Sequence, residues 1–389
     1  MKVLMINSVC GIRSTGRICT DLAKVLEEQG HTVKIAYGRE IVPKEFEKYA
    51  VRIGTNLDVY FHVLQSRLFD NSGFCSTSAT KKFIKWVREY NPDVIHLHNL
   101  HGYYINIEVL FKYLKEEFKG KIIWTLHDCW AFTGHCAYFD YVNCSKWKNE
   151  CCNCPAIKDY PKSHVDNVKR NFKKKEELFT GLNNLIIVTP SKWLSDEVNK
   201  SFLKNYPVQV IHNGIDTNVF KPTKSNIKEK YNIKNKKIVL GVSSVWDRRK
   251  GLEYMVDLSR TLDETYIVVV IGITKKQQKN LPPNMLGILH TNSIKELVEW
   301  YSAAEVFVNP TLEDNYPTTN LEAISCGTPV ITFDTGGSPE SAIVYGTMVE
   351  KGDVKAVCNL IMQNGFVNKN YTFPIETMIE RYIEIYCNY

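Results

Sequence analysis

The chain has 389 residues, more than a single hydrophobic core usually holds, and two domains of roughly 200 residues each are expected. Its 44% hydrophobic and 23% charged residues are those of a soluble globular protein, and no run approaches the ~20 apolar residues that span a bilayer. A net charge of +7 is too mild for a nucleic-acid binder, though it suits an anionic membrane surface or phosphorylated substrates.

The opening MKVLMINSVC lacks the long apolar core and cleavage site of a signal peptide and reads as a first strand. The expected location is therefore the cytoplasm, with most of the twelve Cys reduced. After residues 2–9 come Gly11 to Gly16 and a helical pattern at Leu22, Val25 and Leu26, then a second strand from Thr32 to Tyr37. This is the opening βαβ of a doubly wound sheet, whose first loop lies where such sheets bind ligands. As a nucleotide fingerprint it is weak, because Gly-x-Gly-x-x-Gly spacing is absent.

Lys81, Lys82, Lys85 and Arg88 interleave with Phe83, Ile84, Trp86 and Val87, as on an interfacial helix or on an ordinary helix with one solvated face. A second basic run covers Lys169, Arg170 and Lys173 to Lys175. Strands follow at 93–98 and 122–126, the second ending in His127-Asp128, and His96 and His98 read as structural or supporting residues. Residues 129–161 break the α/β rhythm and hold six Cys. A helix over 166–179 and strands at 185–189 and 208–211 close the first domain.

The second unit repeats the pattern, with strands at 237–242, 266–271, 286–290 and 306–308. Its first loop, SSVWDRRKG, carries Arg248, Arg249 and Lys250 to a helix start, where cations and helix dipole suit two phosphates. Lys250 is the first expectation for phosphate binding and Arg249 the second, with Arg248 an alternative. Residues 309–340, NPTLEDNYPTTNLEAISCGTPVITFDTGGSPE, read as loop, helix, turn and strand. Pro317 suits a first helical turn, Thr318 and Thr319 can cap free amides, and such an N-terminus accepts phosphate. Glu322, one turn in, can accept two hydrogen bonds from a ribose diol. The last segment, 374–386, has helical apolar spacing.

The run Leu321-Glu322-Ala323-Ile324-Ser325-Cys326-Gly327-Thr328-Pro329-Val330-Ile331 resembles the signature of retaining glycosyltransferases of family 4, in which two Glu separated by seven residues precede Ala-x-x-Cys-Gly-x-Pro-Val-Ile. Here Asp314, preceded by Glu313, stands where the family has its first Glu, and Val245 stands where members usually have Arg. The resemblance implies the GT-B fold: two Rossmann-like α/β domains facing a cleft, residues 1–215 with a C-terminal helix 374–389 on the acceptor side and 216–373 on the nucleotide-sugar side, with the Cys-rich insertion in the first. It places Ser14, Thr15 and Gly16 in the cleft, turns His127 toward sugar hydroxyls, and gives Asp314 or Glu313, Lys250, Arg249, Thr318, Thr319 and Glu322 to the donor. It further implies transfer from a nucleotide-diphosphate sugar to a glycan or polyprenyl-diphosphate-linked acceptor in capsule or polysaccharide synthesis, with peripheral inner-membrane contact. No Asp-x-Asp motif is present, and no catalytic metal is expected. A nucleotide-sugar 2-epimerase, or a non-catalytic binding protein, would share the fold.

Cys136, Cys144, Cys151 and Cys154 follow C-x7-C-x6-C-x2-C spacing, with Cys152 an alternative to Cys151. In a reducing compartment this spacing leads us to expect a structural zinc with four thiolates and no open position.

Overall fold

A computed structural model of the protein describes residues 1–342, 345–367 and 371–387. The chain divides into two compact units, Met1–Ile211 joined by the chain from Ile379 on, and His212–Met378.

The first unit is built on a seven-stranded parallel sheet, β1 (Lys2–Ile6), β2 (Thr32–Tyr37), β3 (Ala50–Arg52), β4 (Val94–Leu97), β5 (Lys121–Thr125), β6 (Leu185–Thr189) and β7 (Val208–Val210), in the order β3-β2-β1-β4-β5-β6-β7. Helices α1 (Arg13–Glu28), α2 (Asn56–Phe69), α3 (Thr77–Tyr90), α4 (Ile107–Glu116), α5 (Val168–Phe179) and α6 (Lys192–Val198) connect its strands. Central strands such as β4 and β6 are buried along their whole length, which is why they read as continuous apolar runs rather than alternating ones. Helix α1 turns Ile18, Cys19, Leu22, Ala23 and Leu26 inward at helical spacing.

The second unit has a six-stranded parallel sheet of β8 (Lys237–Val242), β9 (Tyr266–Ile271), β10 (Met285–Ile288), β11 (Val306–Asn309), β12 (Val330–Phe333) and β13 (Thr347–Val349), ordered β10-β9-β8-β11-β12-β13. Its helices are α7 (Ile227–Lys230), α8 (Leu252–Thr261), α9 (Lys275–Lys279), α10 (Ile294–Ala303), α11 (Thr318–Ser325) and α12 (Val354–Met362). Helix α13 (Ile375–Cys387) begins in this unit and ends in the first. Both sheets reverse direction once, between β1 and β4 and between β8 and β11, and such switch points are where open α/β sheets bind ligands.

One local expectation is corrected. Pro317 precedes helix α11 instead of opening it, with ψ at 115°, and no side chain caps the helix start, so Thr318 and Thr319 are its first residues and not caps. The interleaved basic stretch is helix α3, whose Phe83, Ile84 and Val87 are core residues, while Trp86 stacks between Phe83 and Tyr90. Its apolar side is taken up by the protein itself. Among the described residues, no helix is long and apolar enough to cross a membrane.

Candidate functional site

At the second sheet's switch point, the loops after β8 and β11 lie together. Asp247 accepts the backbone N–H of Lys250 on its carboxylate at 3.2 Å, and Gly251 follows with φ +74°. A Cβ on Gly251 would come within 2.1 Å of the Pro310 carbonyl, so only glycine lets the two loops meet. Leu312 N–H donates to the Arg249 carbonyl at 2.7 Å, binding one loop to the other. The loop after β12 braces them from the other side. Gly337 N–H donates to the Asp314 carbonyl at 3.0 Å, Thr335 Oγ1 donates to the Leu312 carbonyl at 2.8 Å, and a Cβ on Gly336 would strike the Asp314 carbonyl.

This frame pairs two cations with two carboxylates. Lys250 Nζ contacts Asp314 Oδ2 at 2.5 Å, and Arg249 Nη1 lies 3.5 Å from Glu313 Oε1 while its Nη2 reaches Asp247 at 3.1 Å. Of the two acids Glu313 is the deeper, its side chain 5% exposed against 15% for Asp314. The sequence left these acids as alternatives; the structure gives each its own cation. Helix α11 follows directly, and the amides of its first turn find no side-chain cap. Glu322 is buried inside it and accepts a hydrogen bond from Tyr301 Oη at 2.9 Å. The exposed residue at Val245 adds no charge beside these groups.

The first unit gathers the other expected residues. Gly16 sits in the first turn of α1, its carbonyl accepting from Gly11 N–H at 3.1 Å, and a Cβ there would press on Val9 and Gly11. Asn7 links this loop to the one after β4. Its Nδ2 donates to the Val9 carbonyl at 2.9 Å, and its Oδ1 accepts Asn99 N–H at 3.3 Å. His127, at the end of β5, shares a hydrogen bond of 3.0 Å with His98, whose ring lies 4.0 Å from that of His96. His96 is held by Tyr386 Oη at 2.6 Å and Thr125 Oγ1 at 2.8 Å. Burial pushes His127 down to about 4 and His96 to about 3, so this row is uncharged near neutral pH. Next to it, burial of Asp128 opposes ionisation, but the charge and hydrogen bond of His101, at 2.7 Å, prevail and hold it below the usual carboxylate range. His98, His101, His127 and Asp128 border a small open pocket.

Cys136, Cys144, Cys151, Cys152 and Cys154 line a second small pocket, within a segment whose only helical turns are Trp130–Phe132 and Lys146–Lys148. Among the described residues, no cysteine is in a disulfide. Cys151 Sγ accepts Gly134 N–H at 3.2 Å. A thiol hydrogen bond from Cys136 brings Cys154 down to about 7. Among the described residues, no three His, Cys, Asp or Glu side chains are drawn together as metal ligands.

Asp247 and Tyr301, which fix Lys250 and Glu322, did not stand out in the sequence. An Asp three residues before the last cation of a helix-start loop is a capping signal that could have marked Asp247. Nothing near Tyr301 points across 21 residues to Glu322.

Two parallel-sheet units, with paired cations at the switch point of one and imidazoles at the strand ends of the other, place the chain among two-domain, doubly wound α/β proteins. The model of Glycosyltransferase Family 4 matches residues 15–219, more than half of the chain, and that of Glycosyl transferases group 1 matches residues 236–363. The chain belongs to glycosyltransferase family 4. It is 22% identical to WcaC of Escherichia coli (strain K12), a glycosyl transferase assigned to colanic acid biosynthesis, over 100% of both chains. It is 29% identical to alpha-maltose-1-phosphate synthase of Mycolicibacterium smegmatis over 40% of this chain and 45% of that one. In fold it is similar to sucrose-phosphate synthase from Thermosynechococcus elongatus, with a TM-score of 0.73, 16% identity, and 100% of this chain and 98% of that one covered. It is also similar to Anabaena HepE in complex with UDP and glucose, with a TM-score of 0.66, 15% identity and both chains fully covered.

Proposed function

We propose that the protein moves a glycosyl group from a nucleoside diphosphate sugar to a hydroxyl of a glycan acceptor, with retention, in the assembly of a cell-surface polysaccharide. The observation that carries this is the pairing of Lys250 and Arg249 with Asp314 and Glu313 beside the uncapped start of α11. Two cations and a helix N-terminus match a diphosphate. As the bond from sugar to phosphate breaks, charge gathers on the leaving diphosphate, and groups already in place stabilise it without reorganisation. Asp314 keeps Lys250 positioned before the donor arrives. Glu322, steadied by Tyr301, is suited to accept from ribose hydroxyls. His127 is a neutral hydrogen-bonding group for a sugar hydroxyl.

A uridine donor is supported by the UDP bound to the Anabaena neighbour, and a polysaccharide role by the Escherichia coli relative. The acceptor we propose is a sugar carried on polyprenyl diphosphate at the inner face of the cytoplasmic membrane. The test is a panel of nucleotide sugars incubated with and without acceptor. Nucleotide release that requires acceptor, with an α-linked product from an α-linked donor, is expected. Epimerised donor in the absence of acceptor, or binding without turnover, would overturn the proposal.

We also propose a structural zinc held by Cys136, Cys144, Cys151 and Cys154. Their spacing supports it, as does their position around one cavity in a segment with little regular structure. Binding would draw the sulfurs together, as metal sites commonly couple ligand binding to local folding. Elemental analysis of protein purified without added metal should find close to one zinc per chain, lost in Cys136→Ser. Folded, metal-free protein with these thiols freely titratable would rule it out.

A further inference from the structure

Helix α2 is inside out. Its inward side carries His62 and Ser66, both 0% exposed, and His62 is held by Ser76 Oγ at 2.9 Å and by the N–H of Gly73 at 3.1 Å. Its outward side carries Leu57, Tyr60, Phe61, Leu64 and Leu68, with Leu57 79%, Tyr60 68% and Phe61 59% exposed. At 100° per residue these five fall on one arc of roughly 100°. A soluble helix ordinarily shows the opposite arrangement, and a contiguous apolar stripe this wide marks a surface that something covers.

The charges around the stripe identify what covers it. Arg52 bonds Asn56 at the first turn of α2, and Arg67 is exposed near its end. Arg170 donates to Asn71 Oδ1 at 2.6 Å just beyond, and exposed Lys162 precedes a stretch whose His164 N–H donates to the Arg67 carbonyl at 2.8 Å. The acids nearby are occupied locally. Asp58, the one acid on the helix, caps it by accepting Thr55 N–H at 2.7 Å, and Asp166 accepts Cys154 N–H at 2.7 Å. A two-fold pairing of this face with a second copy would set Arg67 and Lys162 among like charges. An anionic lipid surface satisfies both features, since the apolar side chains enter the boundary between headgroups and acyl chains while the cations meet phosphates.

We infer that α2 is the membrane-docking element of this protein, inserting Leu57, Tyr60, Phe61, Leu64 and Leu68 into the interface of an anionic bilayer. This names the surface for the membrane contact proposed above. Its test uses neither donor nor acceptor, so loss of the transferase proposal would leave it standing.

The full chain is floated with vesicles of phosphatidylcholine alone and of phosphatidylcholine with phosphatidylglycerol. Binding to the anionic vesicles is expected, weakened by raised salt. The variant Tyr60→Ser/Phe61→Ser/Leu64→Ser should lose at least about tenfold in vesicle affinity, because three interfacial side chains are removed. These residues are exposed, so its thermal midpoint should stay within a few degrees of the parent's. Lys81→Glu on α3 should leave binding nearly unchanged. In Phe61→Trp, vesicles should shift the emission to the blue. Wild-type protein that ignores anionic vesicles, or a triple variant that binds as well as wild type, would overturn the inference. So would a solution dimer that the triple variant converts to monomer, since the second copy would then be the occupant.

Discussion

The two units place their candidate groups alike, at the carboxyl ends of parallel strands, but with opposite electrostatics. In the second unit the groups are charged and paired, Lys250 with Asp314 and Arg249 with Glu313, on loops pinned at Gly251 and Gly336. In the first they are imidazoles that burial keeps neutral, held by each other and by hydroxyls. A site for a leaving polyanion needs fixed charge that does not have to be recruited, whereas a site for hydroxyls needs directional donors and acceptors without a net field. On the proposed function, this difference would divide departure of the nucleotide from recognition of the sugar.

The contrast would break most visibly at the cations. Lys250→Ala and Glu322→Ala should each cost about 2–4 kcal/mol in kcat/KM, the usual loss when one charged contact leaves a preorganised site. Steady-state kinetics at sub-saturating donor decides this, and wild-type rates in either variant would remove that residue from the site. Next in size is the choice between the acids. Asp314→Asn should lower turnover by about 1–2 kcal/mol more than Glu313→Gln does, because Asp314 alone touches Lys250 and is the more exposed. The reverse ranking would pass the role to Glu313. His127→Ala should then cost about 1–2 kcal/mol in kcat/KM, less than the cations do, because a neutral hydrogen bond is weaker than a charged one.

A separate effect is expected on stability against pH. His62 and His127 are pushed down to about 4 and His96 to about 3, from an ordinary value of 6.5, by burial above all. Between pH 6.5 and about 4 the unfolded chain therefore binds protons that the folded one refuses. Stability is full above pH 6.5 and falls as the solution is acidified through that window. Calorimetric midpoints across the window should decline with pH, and His96→Gln should flatten the slope. A parent midpoint that rises on acidification would contradict neutral imidazoles in the fold.

Much of the fold was legible because buried parallel strands leave unbroken apolar runs, as at 266–271 and 185–189. Two of the short edge strands leave no such trace. Both β3 and β13 have three residues with mixed burial, and the sequence reading passed over them. Lys250, Asp314 and Glu322 could be placed near a helix start from spacing, but the partner of Glu322 could not, because Tyr301 acts through a tertiary contact. Residues 67–80 and 96–106 gain a role only in the fold. In the fold, Asn106 N–H donates to Thr80 Oγ1 at 2.8 Å and its Nδ2 to the Phe74 carbonyl at 2.7 Å, while buried Asp70 holds His135 at 2.5 Å and Asn171 at 3.1 Å. These segments sew α2 and α3 to the Cys-rich region, a role that only proximity in space discloses. Helix α2 itself escaped notice because its pattern is inverted, with polar residues inside.

Helix α13 has a consequence for the order in which the protein can be finished on the ribosome. Tyr386 and Tyr382 supply the hydroxyls that hold His96 and Thr125, and Lys121 Nζ donates to the carbonyls of Ile385 and Tyr386, both at 2.8 Å. These partners are synthesised only after the whole of the second unit. The seven-stranded sheet can assemble as soon as residue 211 has emerged, but its histidine row keeps an open flank until the whole second unit has been translated. A nascent chain stalled before Ile375 would therefore hold a folded second sheet beside a first unit still missing one wall.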